Sequence, residues 1–185
     1  MQFSVTFFKK PLYRFLLSAL GIYILWYVLY ELWLHPKEYL DVWIIKRTLG
    51  SALTILKFLG YQTFSGSDRL MGIDGTNGLW MGDNCDSTEL IALFTGFILA
   101  FPGSWGKKTW FIPTGIVIIF FTNVLRMVAL AILQKNVSSK WLEFNHTYTF
   151  TIIVYGVIFL LWIWWVKKIA SPVGIQAYTK KNEDA

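Results

Sequence analysis

Three residue types suited to covalent catalysis lie close to apolar segments of this sequence. Cys85 is the single cysteine, Arg126 stands inside an apolar segment, and His146 is one of two histidines. A cysteine nucleophile needs a proton-transfer group and a positive group that stabilises developing negative charge. These three side chains are therefore candidate catalytic residues.

Cys85 directly precedes an apolar segment. Asp86 and Glu89 have the spacing of a capping box, which predicts that a helix begins there. The positive end of a helix dipole favours the reactive thiolate, whereas the two acidic neighbours oppose it. The alternative is an inert cysteine that packs as a small hydrophobic residue.

Arg126 is the costliest residue of the chain to bury. An arginine near the middle of a membrane helix costs about 2.5–3.5 kcal/mol on insertion scales, so it should face other helices or a wet cavity. Asn123 and Thr122 precede it by three and four residues and share its helix face. This polar stripe could support the arginine and donate to an oxyanion. The alternatives are an arginine that snorkels outward and a structural ion pair with Glu89.

His146 lies just before the last apolar segment, where a histidine could transfer protons to or from a thiol or a leaving amine. The simpler interpretation is a solvated histidine at the membrane boundary. His35 is the competing base and ranks below His146. Neither histidine has a Cys or His neighbour at metal-ligand spacing, so we predict no metal and no cofactor.

The composition places these residues in a membrane protein. Of 185 residues, 55% are hydrophobic, 18% are aromatic and only 15% are charged. This profile excludes a soluble domain with a polar surface. The net charge of +6 does not indicate nucleic-acid binding, because the basic residues cluster at the ends of apolar segments.

Four segments are apolar and long enough to cross about 30 Å of hydrocarbon. We therefore predict a single, all-α, polytopic transmembrane bundle with about four spans. The predicted spans are residues 12–34, 86–105, 109–133 and 147–166.

The segment between the first two spans, residues 35–84, is predicted on the outer face. Tyr39–Phe64 contains several charged residues among apolar ones, which favours an amphipathic interfacial helix over a fifth span. The pairs Asp74-Gly75 and Asn77-Gly78 in the rest of this segment are typical of a short loop or hairpin.

Basic residues predict the orientation of the spans. If both termini are cytoplasmic, with residues 167–185 as a tail, the basic residues of the tails and of the loop between the second and third spans all fall inside. Cys85, Arg126 and His146 then share the outer leaflet. The inside residues are Lys9, Lys10, Arg14, Lys107, Lys108, Lys167, Lys168, Lys180 and Lys181.

The order of these motifs resembles the exosortase/archaeosortase family. A cysteine precedes one membrane helix, Asn123-Val124-Leu125-Arg126 lies in the next, and a histidine precedes the last. Phe101-Pro102-Gly103, Lys107-Lys108 and the segment 155–162 resemble the short members of Bacteroidetes-type bacteria. The resemblance covers about residues 72–168. Many members have a glycine at the position of Ser87.

The resemblance implies a membrane cysteine peptidase or transpeptidase in the bacterial cytoplasmic (inner) membrane. Its partner would be a membrane-anchored protein substrate with a carboxy-terminal tripartite sorting signal: a short motif, a membrane helix and a basic cluster. Cys85 would be the nucleophile, Arg126 the electrostatic stabiliser and His146 the proton-transfer residue. An accessory membrane protein is a possible further partner.

Two other classes of protein compete with this interpretation. In a non-catalytic assembly subunit, Arg126 and Glu89 would form a structural pair and Cys85 would be incidental. In a small transporter, Arg126 would line an anion path. No inverted repeat is visible, and Pro113 is expected in the first turn of its helix, which argues against a transporter.

Overall fold

The computed structural model describes residues 11–82, 87–136 and 149–170, and most of these are helical. The first helix, α1, continues through a π-helical turn (Tyr30–Leu34) and a 3-10 turn (His35–Lys37). The last helix, α5, continues through a π-helical turn at Trp165–Ile169. The elements are α1 (Pro11–Leu29), α2 (Tyr39–Phe58), β1 (Thr63–Ser67), β2 (Leu70–Ile73), β3 (Leu79–Trp80), α3 (Thr88–Ala100), α4 (Trp105–Asn136) and α5 (Phe150–Trp164).

Among the described residues, three helices are long and apolar enough to cross a membrane. They comprise Tyr13–Lys37, Trp105–Asn136 and Phe150–Ile169, and Thr88–Ala100 forms a shorter apolar helix. A helix satisfies its own backbone hydrogen bonds, which lipid cannot do for it. The prediction of a helical membrane bundle is confirmed.

The second and third predicted spans differ from the helices observed. The helix α3 is shorter than the segment 86–105, because the chain becomes extended at Phe101, directly before Pro102. A residue before proline is disfavoured in the helical conformation. Pro113 lies inside α4 rather than in its first turn, so the expectation for Pro113 was wrong. The helix nevertheless continues through it.

The helix α2 is amphipathic, as predicted, and is not among the three long apolar helices. It ends at Phe58, before the predicted boundary at residue 64. Gly60 has φ +88 and follows the helix end, where Tyr61 N–H donates to the Leu56 carbonyl at 3.1 Å. This is the glycine termination that helices commonly use. The buried face comprises Asp41, Ile45, Thr48, Leu49, Ala52 and Leu56.

The predicted loop or hairpin is a three-stranded antiparallel sheet. Its strand order is β1-β2-β3. In the register, Phe64 pairs with Gly72, and Met71 pairs with Leu79. Gly75 and Gly78 have positive φ between β2 and β3, which explains the two turn pairs seen in the sequence.

Two hydrophobic cores share α4. The cap core joins the inner faces of α2 and the sheet to the carboxy-terminal part of α4, and the bundle core joins the amino-terminal part of α4 to α3 and α5. The cap core contains Ile45, Leu49, Ala52, Leu56, Met71, Ile73, Met81, Val124, Met127, Val128, Leu130 and Ala131. The bundle core contains Phe94, Ile98, Phe111, Ile119, Val154, Ile158, Leu161, Trp165 and Ala170.

Two adjacent lysines join the ends of the bundle helices. Lys107 Nζ donates to the Ile169 carbonyl at 2.9 Å, and Lys108 Nζ donates to the Leu99 carbonyl at 2.8 Å. Carbonyls at helix carboxy ends lack helical partners, so cations are favourable there. The carboxy ends of α3 and α5 therefore lie beside the first turn of α4.

The contact between α3 and α4 depends on Gly115. A Cβ at this position would lie 2.1 Å from Cζ of Phe94, whereas a Cβ at Gly106 of the same helix would meet nothing within 4 Å. We expect Gly115→Ala to destabilise the protein by about 1–3 kcal/mol through overpacking. Gly106→Ala should be neutral or stabilising by up to about 1 kcal/mol. Thermal unfolding in detergent measures the stability of both variants. Equal stability of the two would contradict the α3–α4 packing.

Candidate functional site

The predicted polar stripe lies on α4 at the junction of the two cores. Ile119 belongs to the bundle core, whereas Val124 belongs to the cap core. Asn123 is 1% exposed and Arg126 is half-buried. The arginine is therefore partly covered by protein, as the cost of burying its charge in lipid requires.

Thr122 is half-buried on the same stripe. Its hydroxyl donates to the Ile118 carbonyl at 2.8 Å. This local bond satisfies its proton within the helix and leaves the oxygen lone pairs as acceptors. A supporting role for Thr122 at the site stays a prediction, as it does for Asn123.

The start of α3 follows the candidate nucleophile Cys85 in the chain. Ser87 and Thr88 are 7% and 3% exposed, and Ile91 N–H donates to the Ser87 carbonyl at 2.9 Å. Ser87 is the cap residue, and no side chain among the described residues caps the helix. Asp86, the first residue of the expected capping box, lies outside the described residues.

Glu89 is exposed on α3 and forms no ion pair with Arg126 within the part of the chain that the structure describes. A buried ion pair needs both charges to be brought together. The structural pair of the assembly-subunit interpretation is therefore not formed. A supporting role for Glu89 is untested by this arrangement and stays a prediction.

Two other candidates, Cys85 and His146, lie outside the described residues. The chain nearest to each of them is described. Thr88, three residues after Cys85, lines one groove with Phe120 and Phe121 of α4. Phe150, four residues after His146, packs against the cap core that includes Val124. The helices that begin after Cys85 and after His146 thus both contact α4.

His35 lies in the turn that follows α1. Its ring is 5.5 Å from the ring of Tyr30, whose hydroxyl donates to the buried Asp41 carboxylate at 3.0 Å. This arrangement ties the end of α1 to the start of α2. The full burial of Asp41 was not predicted, because its charge suggested a solvated face.

Sequence reasoning also missed an apolar groove beside the start of α3. Its volume is about 620 Å³, which is in the usual range for ligand-binding clefts. Four helices contribute to its walls, so no local motif could have revealed it. The lining residues are Trp26, Leu40, Trp43, Ile44, Arg47, Ser51, Thr88, Ile91, Ile116, Val117, Phe120 and Phe121.

Within the described residues, no group of three or more His, Cys, Asp or Glu side chains could hold a metal ion. The chain is a polytopic helical membrane protein with a half-buried arginine on the part of α4 that the cap core covers. It belongs to the transmembrane exosortase family (Exosortase_EpsH), whose model matches residues 2–166. No curated protein and no solved structure matches it.

Ser87 offers a test of the local geometry. Its φ of 73° is left-handed, a conformation that costs a non-glycine residue about 1–2 kcal/mol. Ser87→Gly should raise stability by about 1 kcal/mol after the greater chain entropy of glycine is subtracted. Ser87→Ala keeps the Cβ and is the matched control, with no such gain. Thermal unfolding measures the stability of both variants. If Ser87→Gly were less stable than the unsubstituted protein, the left-handed turn would be contradicted.

Proposed function

We propose that this exosortase-family protein is a cysteine peptidase or transpeptidase that cleaves carboxy-terminal sorting signals of secreted proteins. The nucleophile is Cys85, the oxyanion stabiliser is Arg126, and the proton-transfer residue is His146. Asn123, Thr122 and Glu89 support them. The substrate is a membrane-anchored protein with a tripartite signal.

The observation that supports this proposal most is that α3 and α5, the helices that follow Cys85 and His146, both pack on α4, the helix that carries Asn123 and Arg126. The bundle core joins α3 and α5 to α4, and Phe150 at the start of α5 packs against the cap core. Cys85 and His146 precede those two helix starts by a few residues. A nucleophile, a proton-transfer group and an oxyanion stabiliser need such proximity.

The chemistry follows from the three roles. Packing of the substrate's membrane helix beside the bundle positions the scissile carbonyl at the membrane boundary. The Cys85 thiolate attacks that carbonyl carbon, and the Arg126 guanidinium donates hydrogen bonds to the oxyanion. Collapse of the tetrahedral intermediate breaks the C–N bond, and His146 gives a proton to the departing amine. An amine or water then attacks the thioester, which releases the thiolate and the new amide or acid.

The proposal includes an orientation in the bacterial cytoplasmic membrane, with both termini inside and the site on the outer face. Basic residues at one end of the bundle support it. Lys107 binds the Ile169 carbonyl, so the start of α4 and the basic end of α5, with Lys167 and Lys168, lie together. Short segments rich in lysine are retained in the cytoplasm.

Substrate processing tests the nucleophile. A secreted protein with a tripartite signal is co-expressed with the wild type or with Cys85→Ala. The wild type should shorten the substrate, and the variant should leave it at full mass, because the chain has no second cysteine. Mass spectrometry of the recovered substrate provides the readout. The same substrate mass in both strains would refute the proposal.

The single thiol also allows a control for orientation in the same strains. A membrane-impermeant maleimide should label Cys85 in intact spheroplasts. Lys168→Cys in the Cys85→Ala background supplies the cytoplasmic comparison and should be labelled only after permeabilisation. Labelling of Cys85 that also required permeabilisation would contradict the proposed outer site.

Arg126 should be needed for the rate of processing. Loss of an oxyanion donor costs about 10²–10³-fold in rate, so Arg126→Gln should slow cleavage by that factor. Arg126→Lys should slow it less, since the charge remains but the planar fork is lost. Pulse-chase measurement of substrate cleavage distinguishes the variants.

The matched control for this experiment is Lys135→Gln. It removes a positive charge from the last turn of the same helix, away from the polar stripe. Its processing rate should equal that of the wild type. A comparable loss in Lys135→Gln would show that net charge, rather than Arg126, governs the rate.

A further inference from the structure

The groove beside α3 combines apolar walls with a single charged side chain. Arg47 is exposed and lines the groove, where it lies over the Trp43 ring at 5.7 Å. The rest of the lining is aliphatic, aromatic or hydroxyl-bearing. An arginine at an apolar groove is suited to a ligand that has both a hydrocarbon part and an anionic group.

The groove lies at membrane depth. Its α4 wall runs from Ile116 to Phe121, which is about 17–24 Å along the helix from its start at Trp105. A hydrocarbon layer of about 30 Å that begins near Trp105 would contain this wall. With this placement of the bilayer, lipid acyl chains would surround the groove.

A second, polar pocket of about 480 Å³ adjoins the groove and shares Trp43 with it. It is lined by Lys37 and Lys46, together with Glu38, Tyr39 and Val42. Lys37 lies 4.9 Å from the Trp33 ring centre. Basic residues next to exposed tryptophan and tyrosine are typical of the lipid headgroup level.

The acidic side chains around this pocket already have partners. Glu38 pairs with Arg69 at 3.5 Å, and Asp68 pairs with Lys46 at 2.9 Å. No described acidic side chain forms an ion pair with Lys37 or Arg47. These two cations are therefore available to an external anion.

We propose that the groove and the adjoining pocket bind one anionic phospholipid. Its acyl chain lies against Trp26, Ile91 and Val117, and its phosphate lies between Arg47 and Lys37. The apolar groove, the basic pocket and the shared Trp43 match the two parts of such a lipid. The site does not depend on Cys85 chemistry, so it can be tested in the Cys85→Ala variant and can fail independently of the proposed function.

Native mass spectrometry of the full-length protein in detergent tests the proposal. The probes are phosphatidylglycerol and phosphatidylethanolamine with identical acyl chains at equal concentration. The protein should retain the anionic lipid preferentially. Arg47→Gln and Lys37→Gln should each weaken that retention about fivefold, which is the usual effect of one basic residue near an anionic lipid.

The matched control is Lys57→Gln, an exposed lysine in the last turn of α2 that lines neither pocket. It should leave retention unchanged. Equal retention of both lipids by the unsubstituted protein, or an equal loss in Lys57→Gln, would overturn the proposal. If a variant fails to fold, the comparison of the two lipids on the unsubstituted protein still tests the proposal.

A photo-crosslinking residue at Val117 identifies what occupies the groove in membranes. Val117 is 53% exposed and lines the groove. The expected product is the protein joined to a phospholipid. A product with a second copy of the chain or with a helix of a substrate protein would overturn the lipid assignment.

Discussion

The structure depends on one long helix that belongs to two cores. The helix α4 has 32 residues, about 48 Å at 1.5 Å per residue, and so exceeds a hydrocarbon layer of about 30 Å. The excess must either face water or be covered. Here α2 and the three-stranded sheet cover it, and the cap core is the result. The half-buried Arg126 lies on this covered part of α4, among protein groups rather than in lipid.

Hydropathy and turn chemistry predicted much of this fold. Backbone N–H and C=O groups in lipid must form their hydrogen bonds within helices, so long apolar segments are reliable signals of membrane-spanning helices. The turn glycines Gly75 and Gly78 made the hairpin recognisable. The true length of α3 was not predictable from hydropathy, since the apolar pattern continues past Phe101. The backbone conformations of Ser87 and Phe101 bound the helix at its two ends, and hydropathy carries no information about either.

The candidate site could be predicted only as a set of residue types. Arg126 was evident because its burial is costly, and Asn123 followed from helical spacing. That the cap core covers this part of α4 became evident only from the tertiary structure. The groove could not be predicted from the sequence for the same reason, because its lining residues Trp26, Arg47 and Phe121 come from three distant parts of the chain. The burial of Asp41 was missed because its partner, Tyr30, belongs to the preceding helix.

The two helices that line the groove with α1 and α4 share an unusual beginning. Glu38 before α2 and Ser87 before α3 both have left-handed backbone conformations, with φ of 51° and 73°. Each costs on the order of 1–2 kcal/mol in a non-glycine residue, so surrounding contacts must maintain it. Glu38 is held by Arg69, and Ser87 is held by burial. Since a left-handed cap fixes the direction in which a helix leaves its loop, both walls of the groove are set by these turns.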